Sequence, residues 1–234
     1  MMNTYDEVTF LTKSIQIALD GPAAAGKSTI AKIVAEQLGY IYIDTGAMYR
    51  AITLKALNEG IDLSDNKAAG ELLAKTAIDL QPSENGQLVF LDQQNVTEAI
   101  RSQEVTGSVS EMAAHESVRL QMVKLQQQLA EGRGVVMDGR DIGTDVLPKA
   151  ELKVFMSASV EERARRRFEE NKKRNIHTPL EELQGEIAKR DQMDSEREVS
   201  PLRQADDAIY LDTTSLTIRE AAAEILRLAG ERLS

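Results

Sequence analysis

The stretch QIALDGPAAAGKST, residues 16–29, constrains this chain more than any other. Ile15, Ile17 and Leu19 alternate as in a strand that ends on Asp20. Gly21, Pro22, Ala23, Ala24, Ala25, Gly26, Lys27 and Ser28 then fill the pattern G-x-x-x-x-G-K-[ST] without a gap, followed by Thr29. Glycines at those two places let the backbone turn tightly and aim successive N–H groups at an anion, at the start of a helix whose dipole also favours negative charge. Lys27 adds a point charge for the β- and γ-phosphates, and the Ser28 hydroxyl suits Mg²⁺. Behind the loop Ile30, Ile33, Val34 and Leu38 recur at helical spacing, with Gly39 placed to end the helix. An accidental glycine-rich turn would not bring the flanking strand and helix with it. The chain is therefore expected to be an α/β protein, a P-loop NTPase core whose parallel sheet is flanked by helices.

Bulk properties narrow the partners. With 234 residues, 42% of them hydrophobic, the chain can bury a real core as one domain with insertions. Lys and Arg total 28 against 38 Asp and Glu, a net charge of −10, so nucleic acid and anionic membranes are not expected partners. Any anionic ligand must be held by local basic clusters. The absence of cysteine removes disulfides, thiol nucleophiles and cysteine-based zinc sites. His115 and His177 are too few and too far apart to suggest a metal site. Residues 1–14 are polar and aperiodic, either a loose extension or a cloning remnant, with no secretory or membrane-spanning run. A cytoplasmic monomer is the expectation, with 15–234 as a single P-loop domain.

Taken in order, residues 40–44 (YIYID) read as a second strand, and Thr45-Gly46-Ala47-Met48-Tyr49-Arg50 open a helix reaching about Asn58. Strand ends in open α/β sheets are where ligands bind, so Thr45 and Arg50 project towards a substrate, unless Thr45 is only an N-cap and Arg50 a surface charge. A helix over 64–76 has Ser64 as its expected cap. Residues 78–92 read as strand, turn and strand around Asn85-Gly86. This insertion, extended to 78–100, interrupts the strand–helix alternation and is expected to form a subdomain within an acceptor-binding region, 45–130. Helices over 101–114 and 116–129 follow, the second with Val118, Met122, Leu125 and Leu129 on a core-facing stripe. A strand at 134–137 ends in Asp138-Gly139-Arg140-Asp141, opposite charges where a cleft is expected. Asp138 is placed to hold Mg²⁺ through water. Another strand covers 152–156.

Ser159 and Glu162 read as a capping box opening a helix that carries Arg163, Arg165, Arg166 and Arg167. Thr178-Pro179-Leu180-Glu181 open a second helix in the same way, on which Arg190, Asp194 and Arg197 share one face. The two helices, 159–200, are expected to form a mobile lid over phosphates, with Arg165 and Arg166 as solvated ion-pairing residues. A last strand at 207–212 precedes a helix capped by Thr217 and Glu220, whose Ile218, Ala221, Ile225 and Leu228 should pack on the sheet.

Together GPAAAGKST, DTGAMYR, IRSQEV, DGRDIGT and RDQMDSEREVSPL stand in the order and approximate spacing of bacterial cytidylate kinases, which the chain resembles from about Ile15 to its last helix. The 78–92 hairpin is similar to the insertion of the long bacterial enzymes. The resemblance implies phosphoryl transfer from ATP, with Mg²⁺, to CMP or dCMP. It implies that Thr45, Arg50 and Arg140 meet the acceptor phosphate, and that Ser110, Arg119 and Asp141 read cytosine. Arg190 and Asp194 would approach the sugar and the transferring group, with Arg197 on the phosphate side, and Arg163 and Arg167 would serve ATP from the lid. Lys27, Arg140, Arg190 and Arg197 would carry catalysis, with Ser28 and Asp138 on the metal. Two rival readings are a kinase for another small acceptor, such as shikimate kinase, and a nucleotide sensor that binds ATP without turnover. A nucleic-acid ATPase is disfavoured by the acidic balance.

Overall fold

The computed structural model describes residues 14–83, 86–173 and 175–234. Of the expected extension 1–14, all but Ser14 lies outside the described residues. Among the described residues five strands form a parallel sheet: β1 (Gln16–Asp20), β2 (Ile41–Asp44), β6 (Val135–Gly139), β7 (Leu152–Ser157) and β8 (Ile209–Asp212), in the order β2-β6-β1-β7-β8. β1 sits in the middle, with Ile17 opposite both Val136 and Leu152. Its period-two pattern feeds two cores. Ile17 and Leu19 face Ile30, Val34, Ala221 and Ile225 of α1 (Lys27–Leu38) and α8 (Ile218–Leu233). Ala18 faces the other way, into a cluster with Met48, Ile52, Met112, Val118 and Met122. Those residues come from α2 (Thr45–Glu59), α4 (Gln103–Met112) and α5 (Glu116–Ala130). The helical stripe of α5 is core, with Leu125 and Leu129 packed against the same cluster.

Between α2 and α4 lie α3 (Asn66–Ala74) and an antiparallel three-stranded sheet: β3 (Ile78–Ser83), β4 (Gly86–Leu91) and β5 (Gln94–Asn95). Ser83 pairs with Gly86, so a hairpin forms where expected, although Asn85 of the expected turn lies outside the described residues. Val89 and Leu91 pack on Ala47 and Ala51 of α2. The Gln87 side chain reaches the sheet edge, donating to the Tyr42 carbonyl (2.6 Å) and accepting from the Asp44 N–H (3.2 Å). It thereby occupies backbone groups of edge strand β2 that no neighbouring strand pairs. Near the other end, α6 (Val160–Lys173) and α7 (Leu180–Ser195) share a small core of Ala164, Leu183 and Ile187, against which Ala24 of the phosphate loop packs. No helix of the described residues is long and apolar enough to cross a membrane.

Several local expectations are corrected. The α3 cap is Asp65, not Ser64: its carboxylate accepts from the N–H groups of Lys67 and Ala68, while Ser64 turns back to Asp62. Ser159 accepts from the Glu162 N–H, but the Glu162 carboxylate goes to Arg165 and Arg166, so that box is half-formed. The α7 N-terminus uses no side-chain cap: Pro179 holds that position. Thr217 and Glu220 do form both halves of theirs. Ile218, expected on the sheet, is 49% exposed because it occupies the first turn of α8, before that helix reaches the core.

Candidate active site

The phosphate loop leaves β1 with Gly21 at φ +145°, where a Cβ would stand 1.9 Å from the Met156 carbonyl oxygen, so only glycine lets the loop pass β7. Ala24 adopts φ +58°, a conformation that costs an L-residue on the order of 1 kcal/mol and is held by the packing around it. Gly26, at φ +92°, starts α1, and its carbonyl accepts from the Ile30 N–H. Lys27 is buried, with Nζ donating to the Pro22 carbonyl at 2.7 Å across the loop. Burial first, then the nearby Arg140, lowers its pKa to about 7 despite Asp138 and Asp20.

At the end of β6, Asp138 accepts from the Ser28 hydroxyl (2.8 Å) and the Tyr42 hydroxyl (2.7 Å). Burial and the neighbouring Asp44 push its carboxyl upward, so a nearby cation would find favourable charge to recover. Ser28 and Asp138 offer hard oxygen donors side by side, a set that fits Mg²⁺ with waters completing its shell. Among the described residues no group of three or more acidic, histidine or cysteine side chains forms a closed metal cage. Asp20 accepts from the N–H groups of Ile142 (2.8 Å) and Gly143 (2.7 Å); burial nevertheless raises its carboxyl to about 7.

Beyond the loop lies a crowd of guanidinium groups. Arg50, from α2, donates to Thr106 Oγ1 at 3.0 Å, and burial followed by the charges of Arg167, Arg140 and Arg101 lowers it to about 10 against the pull of Asp44. Arg190, from α7, is lowered to about 9 by burial, Arg140 and Arg50. Arg140 donates through Nε to Asp194 Oδ2 at 2.8 Å. Although burial opposes it, Arg140, Arg190 and Arg197 hold the Asp194 carboxyl below the usual range. Among the described residues, Nε of Arg190 and Nε of Arg197 are buried without a partner. Part-buried cations held close together, some with unpaired buried donors, create a local positive field that suits an anion. Thr45 does not cap α2, a task performed by Asp44, but donates its hydroxyl to the Asp138 carbonyl at 2.7 Å.

Deeper in, Arg119 is 1% exposed and forms an ion pair through Nη2 with Asp141 Oδ2. Its Nη1 donates to the Ala113 carbonyl at 3.1 Å, its Cζ lies 5.3 Å from the Tyr49 ring centroid, and Nε has no partner among the described residues. Ser110 is buried on α4. Arg197 falls beyond the end of α7 rather than on its face, and its charged neighbours include Arg119, Asp194 and Asp141. Its Nη2 donates to the Ser200 carbonyl at 3.0 Å.

The arginines of α6 divide differently from expectation. Arg165 is exposed and pairs with Glu162 as expected; Arg166 also pairs with Glu162, at 2.9 Å, but is only partly exposed. It donates to the Ala25 carbonyl (3.4 Å) and to the Thr213 carbonyl (2.6 Å) and hydroxyl (3.2 Å), while Thr213 donates to the same Ala25 carbonyl at 3.2 Å. Arg163 points inward, to the carbonyls of Ala158 (2.8 Å) and Ala23 (3.2 Å) and to Asp191 Oδ2 (2.6 Å). Arg167 pairs with Glu170 at 3.2 Å and contributes charge near Arg50 and Arg190. Tyr42, Asp20, Asp191 and Thr213 were not legible as site residues. Only Asp20, next to Gly21, and Asp191, next to Arg190, had a sequence neighbour that could have drawn attention to them.

Comparison with known proteins fits this geometry. The cytidylate kinase family model matches residues 17–231. A cytidylate kinase of Lysinibacillus sphaericus is 64% identical over 223 residues, covering 95% of this chain and 100% of the relative. The Bacillus subtilis cytidylate kinase is 60% identical over 222 residues, covering 95% and 99%. Among solved structures, an uncharacterized protein from Eubacterium ventriosum superposes with a TM-score of 0.54 at 11% identity, covering 94% and 99%, a likeness of fold alone. A phosphate loop facing a part-buried arginine cluster, in a chain matched almost end to end at such identity, places this protein in the cytidylate kinase family.

Proposed function

We infer that the protein transfers the γ-phosphoryl group of ATP to CMP, giving CDP and ADP, and accepts dCMP by the same route. The observation that carries this reading is the buried Arg119–Asp141 pair set beyond the arginine cluster that faces the phosphate loop. A carboxylate accepts from the cytosine N4 amine, and a guanidinium donates to N3 or O2. Uracil presents an N–H and a carbonyl oxygen at the corresponding edge, so a buried carboxylate would lose its partner, at about 1–3 kcal/mol or roughly tenfold to a hundredfold in preference.

The acceptor phosphate sits among Arg50, Arg140 and Arg190, close to Thr45, with Ser110 on the base side and Arg197 linking the base pocket to Asp194. A phosphate oxygen of CMP attacks the γ-phosphorus in line as the bond to the bridging β–γ oxygen breaks and ADP leaves. Positioning and charge stabilisation dominate such a step. Lys27, Arg140 and Arg190 neutralise the oxygens of the transferring group without reorganising. Ser28 and Asp138 would hold Mg²⁺, which would supply positive charge on the donor phosphates. The helical pair 159–200 closes over them and excludes water. An acceptor screen with ATP·Mg²⁺ and CMP, dCMP, UMP, AMP, GMP or shikimate tests the reading. Turnover confined to CMP and dCMP is expected, and equal rates with UMP would remove the base-reading role of Asp141. A phosphorylated enzyme accumulating with ATP alone would rule out direct transfer.

A further inference from the structure

We propose that Asp20 is a positioning residue for base selectivity, fixing the backbone that presents Asp141. Asp20 closes β1 immediately before the phosphate loop and is 5% exposed. Both carboxylate oxygens are committed, Oδ1 to the Ile142 N–H at 2.8 Å and Oδ2 to the Gly143 N–H at 2.7 Å. These are the two amides directly after Asp141, at the start of the wide helical turn Ile142–Val146. The first N–H groups of such a turn have no partner within it. Asp20 supplies one from another strand, acting as a helix cap across 122 residues of chain.

The arrangement holds Asp141 from two sides. Arg119 grips its carboxylate from α5. Asp20 ties the peptides that follow it to the central strand. Without the second tie, the ion pair alone would set where the Asp141 carboxylate stands, and two buried N–H groups would seek new partners. The two segments approach closely. A Cβ on Gly143 would lie 3.3 Å from Asp20 Oδ2 and 3.1 Å from Lys153 Cδ, so a side chain there would press on the carboxylate and displace it by a few tenths of an ångström unless the turn gave way. Asparagine at 20 cannot replace the carboxylate, since its one acceptor oxygen serves one amide and its NH₂ group faces the other.

The inference rests on Asp141 reading cytosine, and the experiment separates the two. Wild type and Asp20→Asn are compared by initial rates on CMP and UMP at saturating ATP·Mg²⁺, after a thermal melt shows that each is folded. The ratio of kcat/KM for CMP to that for UMP should fall about tenfold in D20N, mainly through a higher KM for CMP. A purely structural defect would lower both rates together, and an unchanged ratio overturns the proposal. Should D20N not fold, Gly143→Ala presses on the same contact while keeping every hydrogen-bonding group. A folded G143A should shift the ratio the same way by a smaller factor, and an unchanged ratio there is equally fatal. Wild type without a preference for CMP over UMP would instead sink the reading of Asp141 itself, and this inference with it.

Discussion

Lys27 is buried against the Pro22 carbonyl with its pKa lowered to about 7, so its charge in the free protein is lost as pH rises through neutrality. The charged form attracts phosphate, hence kcat/KM for ATP should decline on the alkaline side with a midpoint near pH 7. Bound ATP restores the proton, so kcat at saturation should be flatter over the same range. Lys27→Arg, which does not titrate there, should lower kcat/KM and remove that limb; a limb that persists belongs to another group. Arg119 makes a different kind of demand. Arg119→Ala leaves Asp141 buried without its cation, an expected loss of about 3–5 kcal/mol in urea unfolding. Calorimetry on the folded fraction should show CMP binding weakened strongly and ATP binding little changed. Equal losses for both nucleotides would place Arg119 outside the base pocket.

Among the elements, α6 shows how four arginines in five positions acquire unlike tasks. The helix turns Arg163 and Arg166 towards the phosphate loop and Arg165 to solvent. Arg163→Ala should cost about 1–3 kcal/mol and raise KM for ATP, because the Ala23 carbonyl and Asp191 lose a shared donor. Arg165→Ala, breaking only an exposed pair, should change stability by less than about 1 kcal/mol and leave the kinetics alone. Comparable effects of the two substitutions would show that burial does not separate them. At α3, Asp65→Ala should cost about 1 kcal/mol by chemical denaturation without touching turnover, whereas Ser64→Ala should cost less. The sequence points to Ser64 as that cap, whereas in the fold the Asp65 carboxylate accepts from the Lys67 and Ala68 amides and Ser64 turns back to Asp62.

For the molecule as a whole, the three-stranded sheet is joined to the parallel sheet by apolar packing on α2 and by the paired hydrogen bonds of Gln87 to β2. Gln87→Leu removes both bonds at similar volume, and we expect KM for CMP to rise several-fold while the affinity for ATP holds, since Asp44 also caps the helix that bears Arg50. Unaltered CMP kinetics would mean that α2 packing alone places the insertion. Neighbouring residues alone settle the phosphate loop, the strand that enters it, the helix that leaves it, the hairpin and the Thr217–Glu220 cap. Their signals are periodicity, glycine conformation and short-range hydrogen bonding, all complete within a few residues. Arg119, Asp141, Arg190 and Arg197 were legible as a constellation only by resemblance, because they lie far apart along the chain. It takes the folded chain to show that Arg166 holds the Ala25 carbonyl 141 residues away, that Tyr42 shares Asp138 with Ser28, and that Asp20 caps a turn 122 residues downstream. Nothing local marks such pairs. A buried polar group must find a partner, and which one it finds depends on which strands the sheet lays side by side.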